Sequence, residues 1–302
     1  MMMVNTISVK LPASFFCEEE RSGYPVSGEM KNIWAVELDL WQAFDAVCQR
    51  HGLRYYAAYG TLLGTVRHGG FVPWDDDIDL CMMREDYEKL KKIASEEFRE
   101  PYFFQDWYNS HGRTWCFSKL RNSNTAAVEF PDKGPEFNQG MFIDINAIDD
   151  LGDEGNVSPG FKRIQRELYS CINNPVGMLK GVLEGQQYAL DRDTVVAMCN
   201  DQMTAQRCFE QLTLENAGQS DYVGYYGDEV RGYKYKFIPR SAFDAVEYMD
   251  FEGFRMPVPA GYDTVLRKWY GDGYMTPRQV GSCHEGMLTD PFRSYGEYVG
   301  RK

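Results

Sequence analysis

The chain has 302 residues, enough for one large domain or for a core with a substantial appendage. Its 43% hydrophobic and 15% aromatic content furnishes a proper core, which excludes a disordered chain and a disulfide-stapled miniature. Acidic residues outnumber basic ones by 45 to 32, and a net charge of −13 with no basic patch argues against nucleic-acid binding.

Residues 1–28 are polar, are broken by Gly23, Pro25 and Gly28, and read as a lead-in with one short strand around Ile7–Leu11. From Glu29 to about His51 the residues Met30, Ile33, Trp34, Leu38, Trp41, Phe44 and Cys48 recur at steps of three and four, the period of an amphipathic helix that Gly52 closes. Arg54–Tyr59 suits a strand; Gly60 breaks it, and Thr61 is placed to cap a short helix through Leu62, Leu63 and Val66. After the Gly69-Gly70 turn and the Pro73-Trp74 step, Ile78–Met82 reads as a second strand and Glu85–Phe98 as a charged surface helix. Further strands are expected at Tyr102–Gln105, Trp115–Leu120 and Met141–Ile145, and helices at Gly160–Cys171 and Asp193–Asn216. Beyond Asp221 the chain is rich in Tyr, Gly and Pro, with a hairpin around Ala245–Met256 and a helix over Tyr262–Tyr270. The pattern predicts an α/β (α+β) protein: a mixed sheet flanked by helices, with a helical insertion and a C-terminal Tyr/Gly-rich segment. We divide it into the lead-in 1–28, a catalytic core over 29–155 and a helical and C-terminal substrate lobe over 156–302. No internal repeat is present.

The eight cysteines, at 17, 48, 81, 116, 171, 199, 208 and 283, include no Cys-x-x-Cys pair, so neither a zinc ribbon nor thioredoxin-like chemistry is expected and reduced thiols fit best. The four histidines form no His-x-x-x-His pair, and His68, His111 and His284 read as structural or surface residues. No stretch approaches the ~18 apolar residues of a membrane span, and no signal-peptide pattern opens the chain, so a cytoplasmic protein, at most peripheral to a membrane, is expected.

The chemistry is expected in Trp74-Asp75-Asp76-Asp77-Ile78-Asp79-Leu80. Successive side chains on a strand point to opposite faces, so Asp77 and Asp79 face one way while Ile78 and Leu80 enter the core. Two carboxylates in one small volume call for a cation, and a hard ion such as Mg²⁺ or Mn²⁺ binds through carboxylates plus substrate phosphates. Asp144, set between Ile143 and Ile145 on another strand, is a third ligand, and with Asp77 and Asp79 it would hold two ions. Asp75 and Asp76 rank behind these. A solvated acidic turn would explain a bare Asp run but not its apolar alternation. A calcium loop fails because Leu80 stands where Gly is required and Asp86 where Glu is expected.

The Gly60-Thr61 turn opens a helix whose free N–H groups suit a phosphate, though many such turns merely start helices. Lys119 and Arg121 share one face of an expected strand and, with Arg67, are the cations placed on substrate phosphates. For Arg67, charge complementarity at a helix C-terminus is an equal alternative.

The run from Gly60-Thr61-Leu62-Leu63-Gly64-Thr65-Val66-Arg67-His68-Gly69-Gly70 through Phe71-Val72-Pro73-Trp74 and the four aspartates to Leu80 resembles the signature of the LicD family of phosphotransferases. Phe117-Ser118-Lys119-Leu120-Arg121, Phe142-Ile143-Asp144-Ile145, Phe251-Glu252-Gly253 and the stretch from Tyr262 to Pro277 extend the likeness over roughly 30–280. The resemblance implies a nucleotidyltransferase-type fold that moves a phosphorylated alcohol, phosphocholine from CDP-choline above all, to a sugar or glycolipid acceptor. It also implies Asp77 and Asp79 as paired metal ligands, Asp144 as the third carboxylate and Gly60-Thr61 as the phosphate turn. Asn146-Ala147-Ile148 lacks a Pro often found there in the family, and 156–220 matches none of its motifs. Two other functions compete: transfer of a nucleoside monophosphate with pyrophosphate release, and a catalytically dead binding module, against which the intact Asp77, Asp79 and Asp144 argue. The C-terminal aromatics Tyr225, Tyr226, Tyr233, Tyr235, Trp269 and Tyr270 read as packing rather than as a cage for a quaternary ammonium.

Overall fold

A computed structural model describes residues 7–110, 117–151, 159–215, 217–218, 220–225, 236–279, 284 and 286–300. His111, Trp115, Cys116, Tyr226, Tyr233, Tyr235 and Cys283 therefore lie outside the described residues.

A hairpin of β1 (Glu19–Arg21) and β2 (Tyr24–Val26) leads into the 24-residue helix α1 (Gly28–His51). The Ser27 side chain accepts the Met30 N–H at its start, and Gly52, at φ 62°, closes it. The predicted stripe is the buried one: Trp34, Leu38, Trp41 and Phe44 all face the core, with Trp34 stacked on Phe71 at 4.6 Å. Then follow β3 (Tyr56–Ala57), α2 (Tyr59–His68), β4 (Asp79–Met83), α3 (Arg84–Glu97), β5 (Tyr102–Gln105), β6 (Ser118–Asn122), β7 (Ala126–Val128) and β8 (Met141–Asp150). Four helices come next: α4 (Pro159–Asn173), α5 (Pro175–Leu183), α6 (Arg192–Asn200) and α7 (Gln202–Leu214). The rest comprises β9 (Tyr222–Gly224), β10 (Ile238–Pro239), the hairpin β11 (Val246–Phe251) and β12 (Phe254–Pro259), α8 (Tyr262–Tyr270) and β13 (Leu288–Asp290).

The fold is the expected α/β class. The main sheet runs β10-β9-β8-β4-β3, with β6 on the other side of β8 and β5 outside β6. The β4–β8 pair is parallel and the other pairs are antiparallel, so β8 is the spine on which β4 and β6 are both registered. One apolar core joins Val26 to Ile148 with Val223, Ile238, Phe251, Val258 and Leu266, while Leu168, Cys171, Val195, Ala205 and Phe209 of α4–α7 form a second cluster around Trp107.

Three expectations change. Ile7–Leu11 is not a strand: the Ser8 and Val9 N–H groups donate to Asp39 Oδ1 at 2.6 and 2.8 Å, so a side chain takes the place of a ladder. The helix expected over Asp193–Asn216 breaks at Asp201, whose side chain accepts the Thr204 N–H and begins α7. The unforeseen α5 starts with Asn174 as its cap and Pro175 in its first turn. Among the described residues no helix is long and apolar enough to cross a membrane, and the six cysteines there are free thiols.

Candidate active site

Three strands bring Asp79, Asp144 and Lys119 into one row. In the register, Asp144 on β8 lies opposite Asp79 on β4 and opposite Lys119 on β6, and directly opposed residues present side chains to the same face. Asp144 N donates to Ile78 O at 3.0 Å, which carries the ladder one residue before β4 and fixes the segment holding Asp77. Ile78 and Leu80 are fully buried, as the two-residue period requires, leaving Asp77 and Asp79 on the partly open face. Lys119 is itself buried; its Nζ donates to Asp144 Oδ1 at 3.0 Å, lies 3.6 Å from Glu129 Oε1 and stands 3.2 Å above the Phe142 ring.

The other predicted cations lie differently. Arg121 is wholly buried, and its guanidinium donates to Gln105, Gly140 O and Glu129, so it is placed within the sheet behind Lys119. Against its own burial, Glu129 is held below the usual carboxylate range by Lys119 and Arg121. Arg67, at the end of α2, donates from Nη1 to Tyr274 O and from Nε to His68 Nε2, both at 2.8 Å. It lines a cavity of about 270 Å³ together with Gly60, Leu63, Trp74, Asp75 and Tyr270. Burial lowers the Arg67 pKa, a sign of a guanidinium short of counter-charge.

The first turn of α2 forms one wall of that cavity. The helix begins at Tyr59, with Ala58 at the N-cap and no capping side chain, so Thr61 lies inside the helix and is not its cap. The Thr61 hydroxyl instead accepts the Asp79 N–H at 2.8 Å, tying helix to strand. Tyr59 takes φ 39°, a left-handed value unfavourable for a bulky residue, and stacks on Trp269 at 4.4 Å. Gly60 follows for steric reasons: a Cβ there would stand 2.2 Å from Asp75 Oδ2. Helix start and acid loop thus meet at contact distance.

Carboxylate oxygens of Asp75, Asp76 and Asp77 lie within 4.8 Å of one another. The structure therefore gathers around Asp77 the two residues ranked second on sequence grounds, Asp75 and Asp76, and the group does not include the predicted partners Asp79 and Asp144. Burial, then Asp77 and Asp76, push Asp75 well above the usual carboxylate range; burial, reinforced by Asp144 and Asp76 against His284 and Lys119, raises Asp77 to about 6. Carboxylate oxygens gathered this closely are the donor set that a hard divalent cation satisfies, so these residues fit Mg²⁺ or Mn²⁺. Tyr270, 44% exposed, lines the same cavity as Asp75; partial burial, then the negative charges of Asp79, Asp75 and Asp77, raise its phenol.

Two residues of this neighbourhood were not anticipated. His284, read from sequence as a structural or surface residue, has Nδ1 3.2 Å from Asp76 Oδ1 and Nε2 4.0 Å from Asp77 Oδ2, and meets the Phe142 ring edge-on. Its partner is 208 positions away, and no local pattern announces such a contact. Glu37, on the buried side of α1, is 2% exposed; burial, then Asp77, Asp76 and Asp144, push it well above the ordinary range. A signal for it did exist: Glu37 interrupts the apolar stripe Trp34, Leu38, Trp41, where a charge has no structural use.

Residues 52–142 match the model of a family described as LicD/FKTN/FKRP, nucleotidyltransferase domain. The chain is 26% identical to the lipopolysaccharide cholinephosphotransferase LicD of Haemophilus influenzae over 246 residues, 80% of this chain and 89% of that protein. Human ribitol 5-phosphate transferase FKRP is 39% identical over 51 residues, 17% of this chain and 10% of that protein. An uncharacterized protein of Rickettsia prowazekii, RP689, is 34% identical over 82 residues, 26% of this chain and 29% of that one. Residues 52–142 thus match a LicD-family nucleotidyltransferase domain, and the likeness to a LicD protein runs along 80% of the chain.

Proposed function

We propose that this protein transfers a phosphorylated alcohol, phosphocholine in the first instance, from a CDP-activated donor to a hydroxyl of a glycan or glycolipid, releasing CMP. One observation carries the reading: Asp79, Asp144 and Lys119 stand in one row beside Asp77, next to a cavity walled by the start of α2 and by Arg67. The relatives with named activities, a cholinephosphotransferase and a ribitol 5-phosphate transferase, both move a phosphorylated alcohol, which supports that class of substrate.

Asp77, Asp79 and Asp144 would hold Mg²⁺ or Mn²⁺, two ions in the fullest form; bound there, the metal neutralises the donor's pyrophosphate and the departing phosphate of CMP. The chain's own groups do the rest by positioning. The amide end of α2 at Gly60-Thr61 and the Arg67 guanidinium bind phosphate oxygens. Asp144, oriented by Lys119, accepts the proton of the acceptor hydroxyl as its oxygen bonds to the phosphorus of the alcohol phosphate. The bond from that phosphorus to the bridging oxygen breaks, and CMP leaves with that oxygen. Arg121 acts at one remove, through Glu129 on Lys119.

The test is CMP release from CDP-choline by purified protein with Mn²⁺ or Mg²⁺ and a panel of sugar acceptors, beside Asp77→Ala and Asp79→Ala. Metal-dependent release lost in both folded variants is the expected result. Turnover of CDP-ribitol but not CDP-choline would change the alcohol and keep the chemistry. Pyrophosphate release from a nucleoside triphosphate, with every CDP donor inert, would replace the proposal by nucleotidyl transfer.

A further inference from the structure

A small cavity on the α1 side of the acid loop is lined by Glu37, Asp76, Asp77, Phe142 and His284. Its room is about 10 Å³, space for one atom-sized occupant and for no part of an organic substrate. Into it faces a carboxyl group with no structural employment. Glu37 is 2% exposed, and among the described residues its Oε2 has no hydrogen-bond partner. A buried polar atom in that state is rare in folded proteins and asks what it binds. The charged groups around it are mostly of its own sign: Asp76, Asp77 and Asp144, with His284 as the opposing group. If this position on α1 served packing alone, Gln or Met would fill it without opposing the acids, since a carboxylate buried among carboxylates is a cost that only a cation or a proton relieves.

We infer that Glu37 is a further ligand of a divalent cation bound at the acid loop: Asp75, Asp76 and Asp77 are already gathered within 4.8 Å, and Glu37 turns its free oxygen toward Asp76 and Asp77 when the ion binds, so that α1 supplies a metal ligand in addition to those of the loop and sheet. The inference rests on the metal-dependent reading above and extends it to a residue 40 positions before Asp77 in the chain. In this arrangement His284, which lines the same cavity, supports Asp76 by hydrogen bonding and lies beside Asp77, and Glu37 Oε2 completes the oxygen shell from the helix side.

The test is a binding measurement independent of turnover. Free Mn²⁺ is followed by electron paramagnetic resonance as it is titrated into wild type, Glu37→Gln and Asp77→Asn, each shown to be folded by circular dichroism. Glutamine keeps the shape and removes the charge. The expected result is that Glu37→Gln binds one Mn²⁺ fewer than wild type, or binds its tightest Mn²⁺ at least ten-fold more weakly. Wild-type affinity and stoichiometry in Glu37→Gln, with loss in Asp77→Asn, would overturn the Glu37 assignment alone. No Mn²⁺ binding by wild type would overturn it together with the metal chemistry proposed above. Should Glu37→Gln fail to fold, Glu37→Asp decides: retained charge with a shorter reach is expected to weaken Mn²⁺ binding, and unchanged binding overturns the assignment.

Discussion

The bond from the Asp79 N–H to the Thr61 hydroxyl is a single 2.8 Å contact, yet it is where the helix that walls the cavity meets the strand that carries the acid. Thr61 is 3% exposed, so Thr61→Val preserves its shape and deletes only the acceptor and the hydroxyl proton. We expect a loss of about 1–3 kcal/mol in urea-unfolding stability, the usual cost of removing a buried acceptor, and near wild-type stability for Thr61→Ser. His68 makes a different prediction. Its Nε2 accepts from Arg67 Nε, so the neutral ring carries its proton on Nδ1, toward Ser22 Oγ at 3.4 Å. Burial, then Arg67 and Arg21, lower its pKa to about 4 from an ordinary 6.5. Between these values the unfolded chain binds the extra proton and the folded chain does not, so this contribution to stability is full above about pH 6.5 and is lost as pH falls toward 4. Urea midpoints from pH 4 to 7 should show a steeper acid-side fall for wild type than for His68→Gln.

At the scale of elements, what could be read in the sequence was whatever depends on local periodicity. Helix α1 follows from its three- and four-residue apolar steps, α8 and the β11–β12 hairpin from patterns confined to a few residues, and the facing of Asp77 and Asp79 from the two-residue period, which Ile78 and Leu80 confirm by their burial. Capping chemistry competes with periodicity and displaced two boundaries: Asp201 cuts one expected helix into two, and Asn174 and Pro175 begin a helix that had not been foreseen. Helix α2 starts at Tyr59 without a capping side chain, two residues before the Thr61 that local preference favours. Register was out of reach. That Lys119 faces Asp144 depends on how β6 slides along β8, and a slip of one residue would have put Lys119 on the opposite face. Long-range partners are equally hidden from local sequence: Arg121 is engaged by Glu129, Gln105 and Gly140, and His284 stands against Asp76.

In the whole molecule, the acid loop is held in place by parts of the chain far from it in sequence. Glu252, at the turn of the β11–β12 hairpin, accepts from Arg21 Nη2 at 2.8 Å and from the Phe71 N–H at 3.1 Å, while its own N–H donates to Gly69 O at 3.0 Å. Phe71 stacks on Trp34, and Trp34 Nε1 donates to Asp75 O at 2.8 Å. The N-terminal hairpin, the C-terminal hairpin and α1 thus converge on residues 69–75, just before the carboxylates that must share a small volume. A clamp of this kind resists the repulsion that would otherwise splay them. Glu252 has a side chain only 4% exposed against 22% for Arg21, so removing it leaves the guanidinium with Glu19 as its remaining carboxylate and strands the Phe71 N–H. We expect Glu252→Ala to cost about 1–3 kcal/mol in urea unfolding, and Glu252→Gln, which keeps an acceptor for Phe71, to cost less. Under conditions where Glu252→Ala remains folded, its Mn²⁺ affinity should also fall, although no proposed ligand has changed. Reduced stability with wild-type Mn²⁺ affinity would mean that the hairpins secure the fold without shaping the site, and that the loop holds its acids together by its own contacts, those of Asp75 with Val72, Trp34 and the α2 start.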